Sequence, residues 1–169
     1  VPYLLYSGRV DPNKGCRELF EYFITFKKTH PGNLRLIITG KDDMPVPVHE
    51  DIDFRGFVSV EEKFRLMAGA MLFVNPSPNE SFSIVTLEAM AQQTPVLVNG
   101  ASAVLADHAK DSGAGRVYHD LNDFSLSDWK IGWGVGFRFN SKRGVIFSLQ
   151  FAFSPETSEI VLLSGDDAF

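Results

Sequence analysis

Short apolar runs alternate with amphipathic stretches along residues 1–124. The runs at 34–39 and 70–75 lack the polar alternation of a half-exposed strand, which indicates strands covered by helices on both faces. Between the runs the apolar residues have a helical period, as where Leu19, Phe23 and Phe26 share one face. Strands that alternate with helices predict a doubly wound α/β domain with a parallel sheet. The predicted strands are 3–7, 34–39, 52–57, 70–75, 95–99 and 116–118, and the predicted helices are 16–28, 60–67, 84–92 and 104–110.

Near residue 125 the pattern changes to period two. Apolar residues alternate with glycine or polar residues along 129–140, and the alternation returns at 145–153. A third run, 159–164, follows a Ser-Pro-Glu turn. These runs predict a short antiparallel β meander of about three strands with one apolar face. The chain is therefore expected to have two parts, an α/β domain over 1–124 and a β-strand appendage over 125–169.

Composition excludes several classes of protein. Sixteen basic against 21 acidic residues leave a net charge of −5, whereas a protein that coats nucleic acid carries a basic excess. A hydrophobic fraction of 44% with 22% charged residues is typical of a globular chain. The single cysteine, Cys16, excludes an internal disulfide and is predicted to pack in the core. No run approaches the ~18 apolar residues of a membrane-spanning helix, and the four histidines show no metal-ligand spacing.

The segment 8–15 joins the first predicted strand to the first helix. It carries Gly8, Arg9, Lys14 and Gly15. Two cations and a glycine-rich turn beside a helix N-terminus suit a diphosphate. The spacing matches neither a Walker loop nor a dinucleotide fingerprint. The alternative is a solvated basic turn.

A second cluster, 79–88, surrounds the start of the third predicted helix. Glu80 lies in the loop and Glu88 lies one to two turns into the helix. Carboxylates accept hydrogen bonds from sugar hydroxyls, and the amides of a helix start donate to phosphate oxygens. For Glu88 the alternative is an exposed helix glutamate. Gly40-Lys41, at the end of the second strand, is a weaker third cluster for which a plain turn is the alternative.

Taken in order, these clusters resemble one family. Residues 1–124 look like the C-terminal, donor-binding domain of the retaining glycosyltransferases of the group 1 type, which is a Rossmann-like half of a GT-B fold. The resemblance rests on Gly8-Arg9…Lys14-Gly15, Ile38-Thr39-Gly40, Phe54-Arg55-Gly56-Phe57-Val58, Asn75-Pro76-Ser77, Glu80-Ser81-Phe82-Ser83…Leu87-Glu88-Ala89-Met90-Ala91 and Thr94-Pro95-Val96.

The resemblance implies a site for a nucleotide sugar. The residues that match Arg9 and Lys14 hold the donor diphosphate, and the one that matches Glu80 contacts the transferred sugar. The residue that matches Glu88 holds the ribose. Because the two cations offset charge on the departing diphosphate, neither a bound metal nor a cofactor is expected. Further binding positions implied by the match are Gly8 in the first loop, Arg55 and Val58 at the base, and the backbone of Phe82, Ser83, Ile84 and Val85 at the phosphates.

Three departures from the family pattern matter. Ser83 stands where the family often has glycine; its amide can still donate, so we expect little cost. Gln93 also replaces a glycine, which predicts a left-handed residue with a Cβ. The N-terminal half, which carries most of the site for an acceptor glycan or lipid, is not in the sequence. The opening Val1-Pro2-Tyr3, without initiator Met or signal peptide, favours a fragment that is cytoplasmic and inactive alone.

The tail resembles a different family. Alternating aromatics and a terminal Phe169 look like the last strands of outer-membrane β-barrels of the surface-antigen type. The alternative is a soluble hairpin packed on the α/β domain. A second functional hypothesis is therefore an outer-membrane fragment whose α/β part is a passenger without enzyme activity, and only this tail predicts membrane contact. A misjoined reading frame near residues 120–127 would explain the combination.

Overall fold

The computed structural model describes residues 1–113, 115–120, 133–140 and 146–153. The chain divides into two compact units, Val1–Phe124 and Ser125–Phe169. Among the described residues no helix is long and apolar enough to cross a bilayer.

The strands of the first unit are β1 Tyr3–Ser7, β2 Arg35–Thr39, β3 Ile52–Phe54, β4 Leu72–Asn75, β5 Val96–Asn99 and β6 Gly115–Tyr118, and the helices are α1 Cys16–Thr29, α2 Val60–Gly69, α3 Ile84–Ala91 and α4 Ala103–Ser112. The strands form a six-stranded parallel sheet with strand order β3-β2-β1-β4-β5-β6. The predicted doubly wound α/β class is confirmed. The order reverses between β1 and β4, and such a switch point is where open α/β sheets bind ligands, at the carboxyl ends of the strands.

The core lies on both faces of the central strands. Leu4 and Leu5 of β1 point to opposite faces, and both are fully buried. Uninterrupted apolar runs therefore belong to strands covered on both sides, as the sequence predicted. The helices contribute the fully or nearly fully buried side chains of Cys16, Leu19, Phe23, Leu66, Met67, Ala89, Leu105 and Ala109.

The third strand is three residues shorter than the sequence predicts, the largest difference in strand length. The predicted strand 52–57 ends at Phe54, because Gly56 adopts a left-handed φ of 63° that no strand continues through. Arg55 and Val58 therefore lie in the loop that leads to α2. Ser59 caps that helix, since its Oγ accepts a hydrogen bond from the amide of Glu62 at 3.1 Å.

The described part of the second unit is an antiparallel pair, β7 Trp133–Asn140 and β8 Ile146–Phe153. Its register places Val135 opposite Phe151 and Phe137 opposite Leu149. Apolar positions thus face apolar positions across the pair, which is the pairing that the period-two pattern requires. Residues 129–132 and the third predicted run, 159–164, lie outside the described residues.

Candidate functional site

The loop that follows β1 is fastened to the loop that follows β2. The amide of Gly8 donates to the carbonyl of Thr39 at 2.9 Å, and the amide of Val10 donates to the carbonyl of Lys41 at 2.7 Å. Farther along, the amides of Lys14 and Gly15 donate to the carbonyls of Asp11 and Pro12 within the same loop. Most of this loop's amides therefore already have acceptors, and its anion-binding capacity rests on side chains.

Two glycines in these loops allow backbones to approach each other closely. Gly15 has a φ of 72°, and a Cβ there would stand 2.1 Å from the carbonyl oxygen of Pro76. At Gly40, with a φ of 122°, a Cβ would stand 2.0 Å from the carbonyl oxygen of Gly8. Both positions exclude any side chain. The loops after β1, β2 and β4 thereby meet at one edge of the sheet.

Lys14 and Glu80 come together across the switch point. The Nζ of Lys14, after β1, lies 2.8 Å from Oε1 of Glu80, after β4. The side chains are 29% and 15% exposed, so the pair is accessible from one side. Sixty-six residues separate the two in sequence, and the fold makes one polar centre of the two predicted clusters.

Arg9 lies at a neighbouring position with different partners. Its Nε is 3.7 Å from Asp11 and 3.9 Å from Asp43, and its side chain is 56% exposed. Asp43 also pairs with Lys41 at 2.5 Å. Arg9 and Lys41 therefore share the carboxylate of Asp43, and with Asp11 the cluster has two cations and two carboxylates.

A cavity of about 300 Å³ opens beside these cations. It brings together three of the predicted binding residues, Gly8, Arg9 and Val58. Thr39 at its edge is 2% exposed, and within the part of the chain that the structure describes its hydroxyl has no hydrogen-bond partner. The full lining is Ser7, Gly8, Arg9, Thr39, Gly40, Lys41, Phe57, Val58 and Lys63.

A buried hydrogen-bond network sets the start of α3. The Nδ2 of Asn75, the last residue of β4, donates to Oγ of Ser83 at 2.9 Å and to Oγ1 of Thr86 at 3.0 Å. Oδ1 of Asn75 accepts from the amide of Ser77 at 3.1 Å. The side-chain amide of Asn75 thus ties β4, the following loop and α3 together.

Ser83 has a φ of 56°, a left-handed backbone that the sequence did not predict. An amide can donate from either residue type, but a left-handed backbone costs a residue with a Cβ about 1–2 kcal/mol. The hydroxyl of Ser83 offsets that cost through its contacts with Asn75 and Thr86. The neighbouring side chains of Phe82 and Ile84 are 55% and 66% exposed, so this helix start is open to solvent. The amides of Ile84 and Val85 begin α3, where no intrahelical acceptor exists.

Glu88 and Arg55 each have partners that the sequence did not predict. Both carboxylate oxygens of Glu88 contact the Nζ of Lys63 on α2, at 2.9 and 2.8 Å. Arg55 pairs with Asp53 at 3.1 Å and with Glu62 at 3.5 Å, and it does not line the cavity. Lys63 is the site residue that sequence reasoning missed. Its only signal is a lysine after two glutamates in the first turns of a helix, a common surface pattern.

Two buried groups, the Tyr6 hydroxyl and the Cys16 thiol, lie against the loop that follows β1. The Tyr6 hydroxyl donates to the carbonyl of Arg9 at 2.6 Å. Burial raises the pKa of the Tyr6 hydroxyl and also that of the Cys16 thiol. Cys16 is fully buried, as predicted, and a raised pKa leaves its thiol protonated near neutral pH. Within the described ranges no three His, Cys, Asp or Glu side chains are grouped so that they could hold a metal ion.

Comparisons with known proteins point in one direction. An uncharacterised glycosyltransferase of Methanocaldococcus jannaschii is 30% identical over 144 residues, which are 78% of this chain and 34% of that protein. A GDP-mannose-dependent alpha-(1-6)-phosphatidylinositol dimannoside mannosyltransferase of Mycobacterium tuberculosis is 34% identical over 86 residues, or 47% of this chain and 23% of that protein. The chain thus spans about a third or less of these relatives.

A solved structure gives the same fold. The Anabaena protein HepE, in complex with UDP-glucose, superposes with a TM-score of 0.57 over 70% of this chain and 35% of its own, at 19% identity. Residues 1–125 match the family described as glycosyl transferases, group 1. This stretch contains the six strands of the parallel sheet and the loops that follow β1 to β5, and it is most of the chain. The chain therefore belongs to the group 1 glycosyl transferases.

Proposed function

We propose that residues 1–124 form the half of a glycosyltransferase that binds a nucleoside diphosphate sugar and presents it for transfer. The observation that carries the proposal is the contact of Lys14 with Glu80 across the switch point. A cation for the diphosphate and a carboxylate for sugar hydroxyls stand there within 3 Å of each other. The names of two similar proteins, one GDP-mannose-dependent and one in complex with UDP-glucose, support a nucleotide sugar.

In this proposal the diphosphate displaces Glu80 from Lys14. The phosphate oxygens accept from the Nζ of Lys14 and from the amides of Ile84 and Val85, where the helix dipole also favours an anion. Arg9 supplies a second cation from the cavity side. Glu80, freed from its lysine, accepts hydrogen bonds from hydroxyls of the sugar, and Glu88 accepts from the ribose.

The reaction breaks the bond between the anomeric carbon and the phosphate oxygen, and the diphosphate leaves with the electron pair. An acceptor hydroxyl forms the new bond on the same face of the sugar and passes its proton to the departing phosphate oxygen, so the configuration is retained. Lys14 and Arg9 offset the charge that develops on the diphosphate, which is why the proposal needs no metal or cofactor. A second α/β half brings the acceptor, a glycan or a lipid, to the open side.

Titration of the full chain with UDP and GDP tests the proposal. We expect calorimetric binding of at least one of them, and Lys14→Ala should weaken it by about 1.5–3 kcal/mol, the range for a hydrogen bond to a charged group. Lys28→Ala removes an exposed cation from the far end of α1 and should leave the affinity unchanged. No binding by the wild type, or equal losses in the two variants, would contradict the assignment.

Turnover provides a second test. Without a second half the sugar stays open to water and no acceptor is held in position, so the chain alone should not transfer a sugar from UDP- or GDP-sugars. Glu80→Ala is the matched background. Activity of the wild-type chain above that background would show that this unit is sufficient.

A further inference from the structure

Lys63 belongs to both the cavity and the Glu88 carboxylate. Its Nζ lies 2.9 Å from Oε1 and 2.8 Å from Oε2 of Glu88, and the two side chains are 25% and 26% exposed. Its side chain also lines the cavity that contains Gly8 and Arg9. One ammonium group thereby connects the predicted ribose contact with the space beside the predicted diphosphate contacts.

The location of Lys63 is a poor one for stabilising its own helix. Lys63 is the fourth residue of α2 and follows two glutamates. Near a helix N-terminus the macrodipole disfavours a cation. An ion pair with this much exposure also contributes little to folding, since water screens it. The Nζ also lies 5.0 Å from the centre of the Phe64 ring, a weak attraction at a partly exposed position. The stability of α2 alone therefore gives little reason for a lysine that contacts both oxygens of one carboxylate.

The number of free acceptor sites on Glu88 fits a pair of hydroxyls. An ionised carboxylate has about four lone-pair sites, two on each oxygen. Lys63 uses one site on each oxygen, so one site on each remains, which is the number that two neighbouring hydroxyls need. The lysine also offsets the charge of Glu88, which would otherwise repel a diphosphate. Glu80 has the same kind of partner in Lys14.

We propose that Lys63 is a positioning residue, which holds Glu88 so that the site distinguishes a ribonucleotide from its 2′-deoxy counterpart. The inference rests on the proposed binding of a nucleoside diphosphate. Lys63 fixes the rotamer of Glu88 and leaves it two aligned acceptors. Without the lysine the carboxylate turns freely, and the second hydroxyl no longer has a defined acceptor.

Calorimetric titration of the full chain with UDP and with 2′-deoxy-UDP tests this inference. Wild type should bind UDP about tenfold more tightly, the effect of one charge-assisted hydrogen bond. Lys63→Met should lower UDP affinity about tenfold and bring the ratio of the two affinities close to one. Lys63→Arg, which keeps the charge and the donors, should retain most of that ratio. Arg65→Met, which removes an exposed cation from the same helix, should change neither value.

Thermal unfolding of each variant shows whether the domain remains folded. A wild-type ratio near one, or a wild-type ratio retained in Lys63→Met, would overturn the inference while the proposed function stands. Tighter UDP binding by Lys63→Met would also overturn it, because the lysine would then block the site. If wild type binds neither nucleotide, the proposed function fails and this inference fails with it.

Discussion

The two edges of the parallel sheet use lysine differently. At the amino edge, before β2 and β3, the side chain of Lys27 is 7% exposed. Its Nζ donates to the carbonyl of Gly32 and, at 3.2 Å, to that of Leu34. It also lies 3.0 Å from Oδ2 of Asp51. Three protons meet three acceptors, so this ammonium has nothing left to offer a ligand.

At the carboxyl edge, Lys14 and Lys63 each have at least one ammonium proton that no carboxylate accepts. Lys14 contacts one oxygen of Glu80, and Lys63 contacts the two oxygens of Glu88. Both lysines are at least 25% exposed. A saturated, buried lysine stabilises the fold, whereas a partly exposed lysine with an unused ammonium proton can still donate to a ligand. Charge alone therefore does not mark a binding site; the lysine must also be accessible and have an ammonium proton that no protein group accepts.

The largest effect is expected when the contacts of Lys27 with Gly32, Leu34 and Asp51 are removed. Lys27→Met leaves Asp51 and two carbonyls without their donor, and we expect a loss of about 3 kcal/mol in the free energy of unfolding. The value lies at the low end of the range for removing one partner of a buried pair, because Asp51 keeps some contact with water. Urea unfolding measures it, with Lys28→Met as the exposed control, which should stay within about 0.5 kcal/mol.

If the two edges of the sheet act independently, nucleotide binding should survive the Lys27→Met change. Where Lys27→Met remains folded, its affinity for UDP and GDP should equal that of wild type. A stability loss below about 1 kcal/mol would show that the Lys27 cluster is no more than a surface pair. A clear loss of nucleotide affinity in the folded variant would show that the two edges are not independent.

Alkaline pH should lower the free energy of unfolding through the two buried groups next to the loop after β1, the Tyr6 hydroxyl and the Cys16 thiol. Burial raises the pKa of Cys16 above its ordinary 9.0 and that of Tyr6 above its ordinary 10.0. The unfolded chain therefore releases these protons at lower pH than the folded one, and stability present below pH 9 falls as pH rises. Each group contributes a slope of up to about 1.4 kcal/mol per pH unit.

Urea midpoints between pH 7.5 and 10.5 measure this slope. In Cys16→Ala the fall between pH 9 and 10 should be smaller, while the Tyr6 contribution above pH 10 remains. An unchanged slope in that variant would mean that the thiol titrates in the folded protein much as it does in the unfolded chain.

Most of the fold could be predicted from the sequence because it depends on local pattern. Buried apolar runs located all six strands of the sheet, and helical periodicity located the four helices. The end of β3 was misplaced because the left-handed turn at Gly56 leaves no mark in hydrophobicity. The left-handed backbone at Gln93, which has a φ of 63°, was predicted correctly because the family pattern has a glycine at this position.

The candidate site was predictable only one loop at a time. Each cluster has a recognisable chemistry in the sequence, but the contact of Lys14 with Glu80 needs the strand order, which brings β1 beside β4. The contact of Lys63 with Glu88 needs the packing of α2 on α3, which no short pattern contains. The roles of Glu80, Glu88 and the other binding residues stay predictions, as does the resemblance of residues 125–169 to outer-membrane proteins.

Ser83→Gly gives a smaller effect at the carboxyl edge. Glycine relieves about 1–2 kcal/mol of left-handed strain but costs about 0.4–1 kcal/mol through its greater freedom in the unfolded chain. It also removes two buried hydrogen bonds, worth about 1 kcal/mol each. We expect a net loss near 1 kcal/mol in urea unfolding. A gain in stability would show that the hydroxyl network with Asn75 and Thr86 contributes nothing.

Gln93→Gly is the matched change at an exposed position, and its effect should have the opposite sign. Gln93 closes α3: its amide donates to the carbonyl of Met90 at 2.9 Å, and the amide of Thr94 donates to that of Ala89 at 3.1 Å. This pair of bonds is the Schellman arrangement, which places a left-handed residue after the helix and favours glycine there.

The balance at Gln93 contains only two terms. Glycine relieves left-handed strain of about 1–2 kcal/mol, as at Ser83. Its greater freedom in the unfolded chain costs about 0.4–1 kcal/mol. No buried hydroxyl is removed. The expected gain is therefore a few tenths to about 1 kcal/mol. Urea midpoints of the two glycine variants, measured side by side, should move in opposite directions. Equal shifts would mean that backbone strain alone governs both positions, and that the Ser83 hydroxyl makes no difference to the start of α3.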